Sequence, residues 1–98
     1  MSSVAATAAE ASFPDAAFFS VHARAEPGTM PRVLELFAKR GLVPSRWYSA
    51  ICEPDRARLT IEIEVGGLDD EAADYIAGCL RQIVSVDAVM TLCADRRR

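Results

Sequence analysis

The sequence predicts an α+β plait, in which four antiparallel strands carry two helices on one face in the order βαββαβ. Three observations carry that expectation. Residues 17–25 and 57–65 alternate apolar and polar side chains, the period-two pattern of half-buried strands. Residues 29–40, and a second stretch opening at Asp69, Asp70 and Glu71, repeat apolar residues at helical spacing. Each helix-like stretch sits between two strand-like ones. Right-handed crossovers then place both helices on the same face of one sheet.

The first strand is expected over 17–25, with Phe19, Val21 and Ala23 alternating with Ser20, His22 and Arg24. The first helix is expected over 29–40. Met30, Val33, Leu34 and Phe37 fall at i, i+3, i+4 and i+7, one apolar face. Thr29 is a suitable N-cap, Pro31 is tolerated in a first turn, and Gly41 suits a left-handed C-terminal turn. Lys39 and Arg40 complement the negative end of the helix dipole.

The second strand is expected over 43–52, with Trp47, Tyr48 and Ile51. Pro44 lacks an N–H donor, which suits an edge strand. Glu53-Pro54-Asp55-Arg56 reads as a turn. The third strand, 57–65, directs Leu59, Ile61, Ile63 and Val65 to one side and Arg58, Thr60, Glu62 and Glu64 to a solvated or partner-covered side. Gly66-Gly67 breaks it. The second helix is expected to run to about residue 84, with Ala72, Ile76, Cys79, Leu80 and Ile83 on one stripe and Gly78 allowing close packing on the sheet. The last strand is 86–93, and the expected strand order is 4-1-3-2, a ferredoxin-like topology.

The 98 residues fit a single domain, read as 17–94, with a flexible tail at 1–16 and a basic end at 95–98. The net charge of -3 argues against non-specific nucleic-acid binding, which needs a basic surface. Cys52, Cys79 and Cys93 are odd in number and widely spaced, and His22 is the one histidine. That pattern excludes most disulfide frameworks and zinc sites and suits reduced thiols in the cytoplasm. The Ala- and Ser-rich start has no basic n-region of a signal peptide, and no run is long enough to span a bilayer.

No catalytic constellation is visible. Ser20 and His22 share a strand face without an evident third group, so a solvated or hydrogen-bonded histidine is the better reading. Glu62 and Glu64 lie side by side on a strand, better read as a solvated or partner-facing surface than as an acid–base pair. Neither Glu26-Pro27-Gly28-Thr29 nor Gly66-Gly67 is a phosphate loop. The strand–turn–helix unit from Arg24 to Gly41 is the informative feature, because the first N–H groups of a helix favour carboxylates and other anions.

That unit, with Glu26-Pro27-Gly28, Arg32-Val33-Leu34-Glu35-Leu36-Phe37 and Arg40-Gly41, resembles an ACT domain. Within that superfamily the chain is most similar to the small regulatory subunit of acetolactate synthase, in the short single-domain form of the type II enzyme. Val21-His22-Ala23-Arg24, Leu59-Thr60-Ile61-Glu62-Ile63-Glu64-Val65 and residues 80–89 support the likeness, which covers about 18–93. The resemblance implies a non-catalytic protein without a cofactor of its own, a homodimer through the sheet edge and first helix. It also implies a catalytic large subunit as partner, in branched-chain amino-acid synthesis, and an amino-acid effector. That effector would sit between the first turn of one protomer and the second strand of its neighbour. Carried over by position, the ligand site comprises Ala25, Glu26, Pro27, Gly28, Thr29, Met30 and Val43. Ala25 and Val43 stand where valine-sensitive members carry asparagine, which implies weak sensitivity or insensitivity to valine. The competing reading is an orphan amino-acid sensor acting on another partner. A small plait-fold enzyme would need an acid or base that the sequence does not present.

Overall fold

The computed structural model describes residues 16–52, 54 and 56–93. The expectations for residues 1–15, for 53 and 55 of the hairpin turn and for the basic end lie outside the described residues. Ala16, placed at the end of the tail, is fully buried.

The elements are β1 (Ala17–Arg24), α1 (Thr29–Lys39), β2 (Arg46–Cys52), β3 (Arg58–Val65), α2 (Asp70–Arg81) and β4 (Val86–Cys93). The sheet order is β2-β3-β1-β4, the expected topology, and all three pairings are antiparallel. Period-two alternation sets the register. Phe19 faces Ile63, Val21 faces Ile61 and Ala23 faces Leu59 across β1 and β3. These side chains form the inner face. Val33 and Phe37 of α1 and Ile76, Ala77 and Leu80 of α2 close over them. Phe19 and Phe37 meet edge to face, with centroids 5.6 Å apart.

The helix termini follow their local chemistry. Gly41 adopts φ 72. Leu42 N–H donates to the Phe37 carbonyl and Gly41 N–H to the Ala38 carbonyl, each at 3.0 Å. These are the two bonds of a Schellman motif, and Leu42 packs back onto the core. Asp69 caps α2 by accepting from Ala72 N–H at 2.8 Å.

Five expectations are corrected. The α1 core stripe is Thr29, Val33 and Phe37, with Leu36 half-buried, while Met30 and Leu34 are 39% and 47% exposed. The helix is rotated so that these two occupy a flank, since Thr29 takes the inner position at i−4 from Val33. Helix α2 stops at Arg81 rather than near 84. Short i→i−3 bonds from Gln82 to Cys79 and from Ile83 to Leu80, both 3.1 Å, tighten its last turn and deliver the chain to β4. Strand β2 begins at Arg46, leaving Pro44 outside the edge strand. Gly78 makes no close approach, because an added Cβ would meet nothing within 4 Å. Finally, Glu64 is not solvated: it is 1% exposed and its Oε1 lies 3.1 Å from Arg46 Nε.

Two glycine substitutions separate these roles. Gly41→Ala is expected to destabilise the protein by about 1 kcal/mol through its positive φ. Gly78→Ala is expected to stabilise it by about 0.5–1 kcal/mol by removing a flexible residue from a helix with open space around it. Urea unfolding of both variants checks the opposite signs.

Candidate functional site

The β1–α1 turn is built by four short bonds. Arg24 N–H donates to the Ser85 carbonyl at 2.8 Å and Ala25 N–H to the Ala57 carbonyl at 2.9 Å, holding the end of β1 between its neighbours. Glu26 N–H turns back to the Arg24 carbonyl at 2.9 Å, and Thr29 N–H closes onto the Glu26 carbonyl at 3.0 Å. The helix ladder starts with Arg32 N–H on the Gly28 carbonyl at 3.2 Å.

Thr29 is not the N-cap. Gly28 occupies that position, with φ -83 and ψ -6 and no side-chain cap. Thr29 is instead the first helical residue and is 1% exposed. Its Oγ1 lies 3.0 Å from the Arg24 carbonyl oxygen and 2.9 Å from Ser85 Oγ. The hydroxyl has one proton and the carbonyl only accepts, so Thr29 donates to Arg24 and Ser85 donates to Thr29. Sequence reasoning had no signal for Ser85, which lies far along the chain in the turn before β4.

The outcome is a turn with two unclaimed donors. Gly28 N–H and Met30 N–H have no acceptor among the described residues, and Pro31 contributes no N–H at all. Both donors sit at the positive end of an 11-residue helix. Glu26, Pro27 and Gly28 are exposed and Ala25 is half-buried. Gly28 has an ordinary φ, and an added Cβ would meet nothing within 4 Å, so the fold does not demand glycine there. Val43 lies beyond the other end of α1 and is 82% exposed. Helix length separates it from the turn by about 16 Å within one protomer.

The charged groups beside the turn neutralise one another. Arg24 Nε donates to Glu26 Oε2 at 2.9 Å and Arg58 Nη1 to Asp87 Oδ2 at 3.0 Å. The hydrogen bond and charge of Glu26 raise the Arg24 pKa further above its ordinary value. Arg24 and Arg58 are cross-strand partners, and each is balanced by its own carboxylate.

On the helix-free face the structure supplies the group that Ser20 and His22 lacked. Ser20 Oγ donates to Glu62 Oε2 at 3.0 Å and lies 3.3 Å from His22 Nε2. The order is carboxylate–serine–histidine. With the Ser20 proton directed at Glu62, His22 acts as donor to Ser20 and does not activate it as a nucleophile. No cluster of His, Cys, Asp or Glu among the described residues is arranged to hold a metal ion. No helix among them is long and apolar enough to cross a membrane.

Thr29→Val keeps the shape and removes the hydroxyl, leaving the Ser85 hydroxyl and the Arg24 carbonyl short of a partner. A loss of about 1–3 kcal/mol in unfolding free energy is expected. Faster amide exchange at Arg24 and Glu26, whose N–H groups are hydrogen-bonded in the turn, read by NMR, would show that the turn loosens with it.

A family model described as an ACT-like domain matches residues 12–97. The ACT domain of GTP pyrophosphokinase from Chlorobium tepidum superposes with TM-score 0.66 at 13% identity, covering 80% of this chain and 99% of that one. The acetolactate synthase small subunit from Thermotoga maritima superposes with TM-score 0.67 at 28% identity, covering 78% of this chain and 46% of that one. The regulatory subunit of aspartate kinase from Thermus thermophilus gives TM-score 0.63 at 15% identity, over 81% and 51% of the two chains. This chain therefore spans about half of the acetolactate synthase small subunit it matches. No curated protein matches the sequence significantly. A matched family model over most of the chain, on a βαββαβ plait, establishes that the chain belongs to the ACT-like domain family, a family of small-molecule regulatory domains.

Proposed function

We propose that this chain is a non-catalytic regulatory subunit of acetolactate synthase, serving branched-chain amino-acid biosynthesis in the cytoplasm. The observation that carries the reading is its 28% identity to the Thermotoga maritima small subunit over 78% of its length. That identity is twice the values of the GTP pyrophosphokinase and aspartate kinase domains on the same fold. The β1–α1 turn supports an amino-acid effector: its free N–H groups at Gly28 and Met30 suit a carboxylate. Glu26, Pro27 and Thr29 shape the turn.

The same geometry favours weak or absent valine sensitivity. Ala25 offers only its backbone, and its N–H is already taken by Ala57 at 2.9 Å. Val43 offers an aliphatic side chain. A bound amino acid then has its carboxylate held but gains no side-chain amide for its ammonium group, so the ammonium stays in water.

The protein acts as a homodimer joined along β2 and α1. Met30, Leu34, Val43 and Ile51 are exposed apolar residues on these elements, and β2 is an edge strand. Burying apolar side chains beside an edge that would otherwise template other chains serves stability and solubility together. The second reading, an amino-acid sensor acting on another enzyme, rests on the same turn and the same dimer. It differs only in the partner.

Acetolactate formation by the thiamine-diphosphate synthase subunit of the same genome, with and without this chain across a valine series, tests the proposal. Higher turnover on mixing, unchanged by valine, is the expected result. Turnover and binding both unaffected would overturn the subunit reading. Gly28→Asp tests the anion seat separately. It should leave unfolding nearly unchanged, since an added Cβ there would meet nothing within 4 Å, and abolish any thermal shift given by the free amino acid, because its carboxylate repels the ligand's.

A further inference from the structure

The helix layer carries charge unevenly. Arg32, Glu35 and Lys39 of α1, with Arg40 just after it, line a groove of about 250 Å³ together with Leu36 and Ile83. Three cations thus face one carboxylate in a chain whose net charge is -3. Lys39 is only loosely paired with Glu35, at 3.7 Å with both side chains mostly exposed. Arg40 is turned onto α2, donating to the Leu36 carbonyl at 3.2 Å and lying 5.4 Å from the Tyr75 ring centre. The Arg32 guanidinium has no hydrogen bond or ion pair among the described residues.

The exposed side of α2 has the opposite sign. Glu71 and Asp74 are exposed and have no ion pair among the described residues. Tyr75, beside them, is 63% exposed. A basic groove and an acidic helix side on the same layer make that layer complementary to a copy of itself. Such self-complementarity is what a two-fold contact requires, because each half of the contact then occurs twice.

We propose that two copies of this chain pack helix layer against helix layer. The Arg32/Lys39 groove of each receives the Glu71/Asp74 side of the other's α2. Tyr75 and Arg40 supply the aromatic and guanidinium contacts that such interfaces concentrate. The surface is separate from β2: Met30 and Leu34 lie on the opposite flank of α1 from Arg32 and Lys39 by helical spacing. The contact stands whether or not the chain serves a synthase, and it leaves the β1–α1 turn open. Combined with a β2-edge dimer it closes a tetramer.

Charge exchange tests it. One variant carries Arg32→Glu and Lys39→Glu; the other carries Glu71→Lys and Asp74→Lys. All four positions are exposed on helices, and circular dichroism verifies the fold of each variant. Masses are read by light scattering. The wild type is expected to show twice the mass of either variant at about 0.01 M salt, where screening reaches about 30 Å, and to lose the doubling near 1 M. An equimolar mixture of the two variants should regain the doubled mass, since each groove then meets an α2 of opposite sign. Equal masses for wild type and variants at low salt, or a mixture that stays at the variants' mass, would overturn the proposal. Reading a doubling over whatever species the variants form keeps this outcome independent of the β2-edge dimer.

Discussion

The hydroxyl of Thr29 is the constraint on which the functional end of this domain depends. It is buried, it ties the last carbonyl of β1 to the serine that precedes β4, and it belongs to the first residue of α1. Three elements therefore meet at one oxygen. A hydroxyl buried without partners would cost several kcal/mol by transfer to an apolar medium; here both its donor and an acceptor site are used. Because Thr29 faces inward, the helix rotates to put Phe37 on Phe19 and Val33 in the core and to leave Met30 and Leu34 outside. Core packing and the exposed flank of α1 are consequences of the same placement.

The turn's chemistry follows from what Thr29 does not do. A threonine at the N-cap would accept from the helix's first N–H groups with its own side chain. By facing inward it leaves that position to Gly28, which has no side chain to offer, and Gly28 and Met30 keep their donors. Pro31 removes a third. Arg24 and Arg58 stand close by, but each is matched by a carboxylate. The attraction for an anion thus comes from backbone dipoles rather than from side-chain charge. Backbone dipoles of this kind suit the proposed carboxylate ligand through geometry. A guanidinium would instead draw any anion.

Strand order, helix placement and core strands were legible in the sequence because period two and period 3.6 are local signals. Phe19, Val21, Leu59, Ile61 and Ile63 announce their face within a few residues. Gly41 and Asp69 announce helix ends by the same locality. What was not legible depends on partners distant in sequence. Thr29 has the composition of an N-cap, and only the arrival of Ser85 from another element makes it a buried tether. Glu62 and Glu64 look alike on a strand; one meets Ser20 and the other Arg46, and neither encounter is written in the strand itself. Of the turn residues, Ala25 through Met30 come together by chain continuity. Val43 lies at the far end of α1 and joins them only through the dimer proposed above.

Glu64 shows how a polar pair can specify an arrangement that apolar packing leaves loose. Strand β2 has few buried side chains: Trp47 is half-buried and Tyr48 and Ile51 are exposed. Its register on β3 is thus weakly held by the core. Arg46 is the direct cross-strand partner of Glu64, and Ser45 N–H donates to the Glu64 carbonyl at 2.8 Å. A slip of one residue would set Arg46 against Ile63 and leave a buried carboxylate without its cation, which costs far more than the net value of the pair. The pair therefore adds little stability over an apolar alternative but excludes the shifted pairing. That exclusion matters most at β2, because the strand's outer edge is the surface a neighbouring protomer would extend, and a shifted edge would offer the wrong side chains.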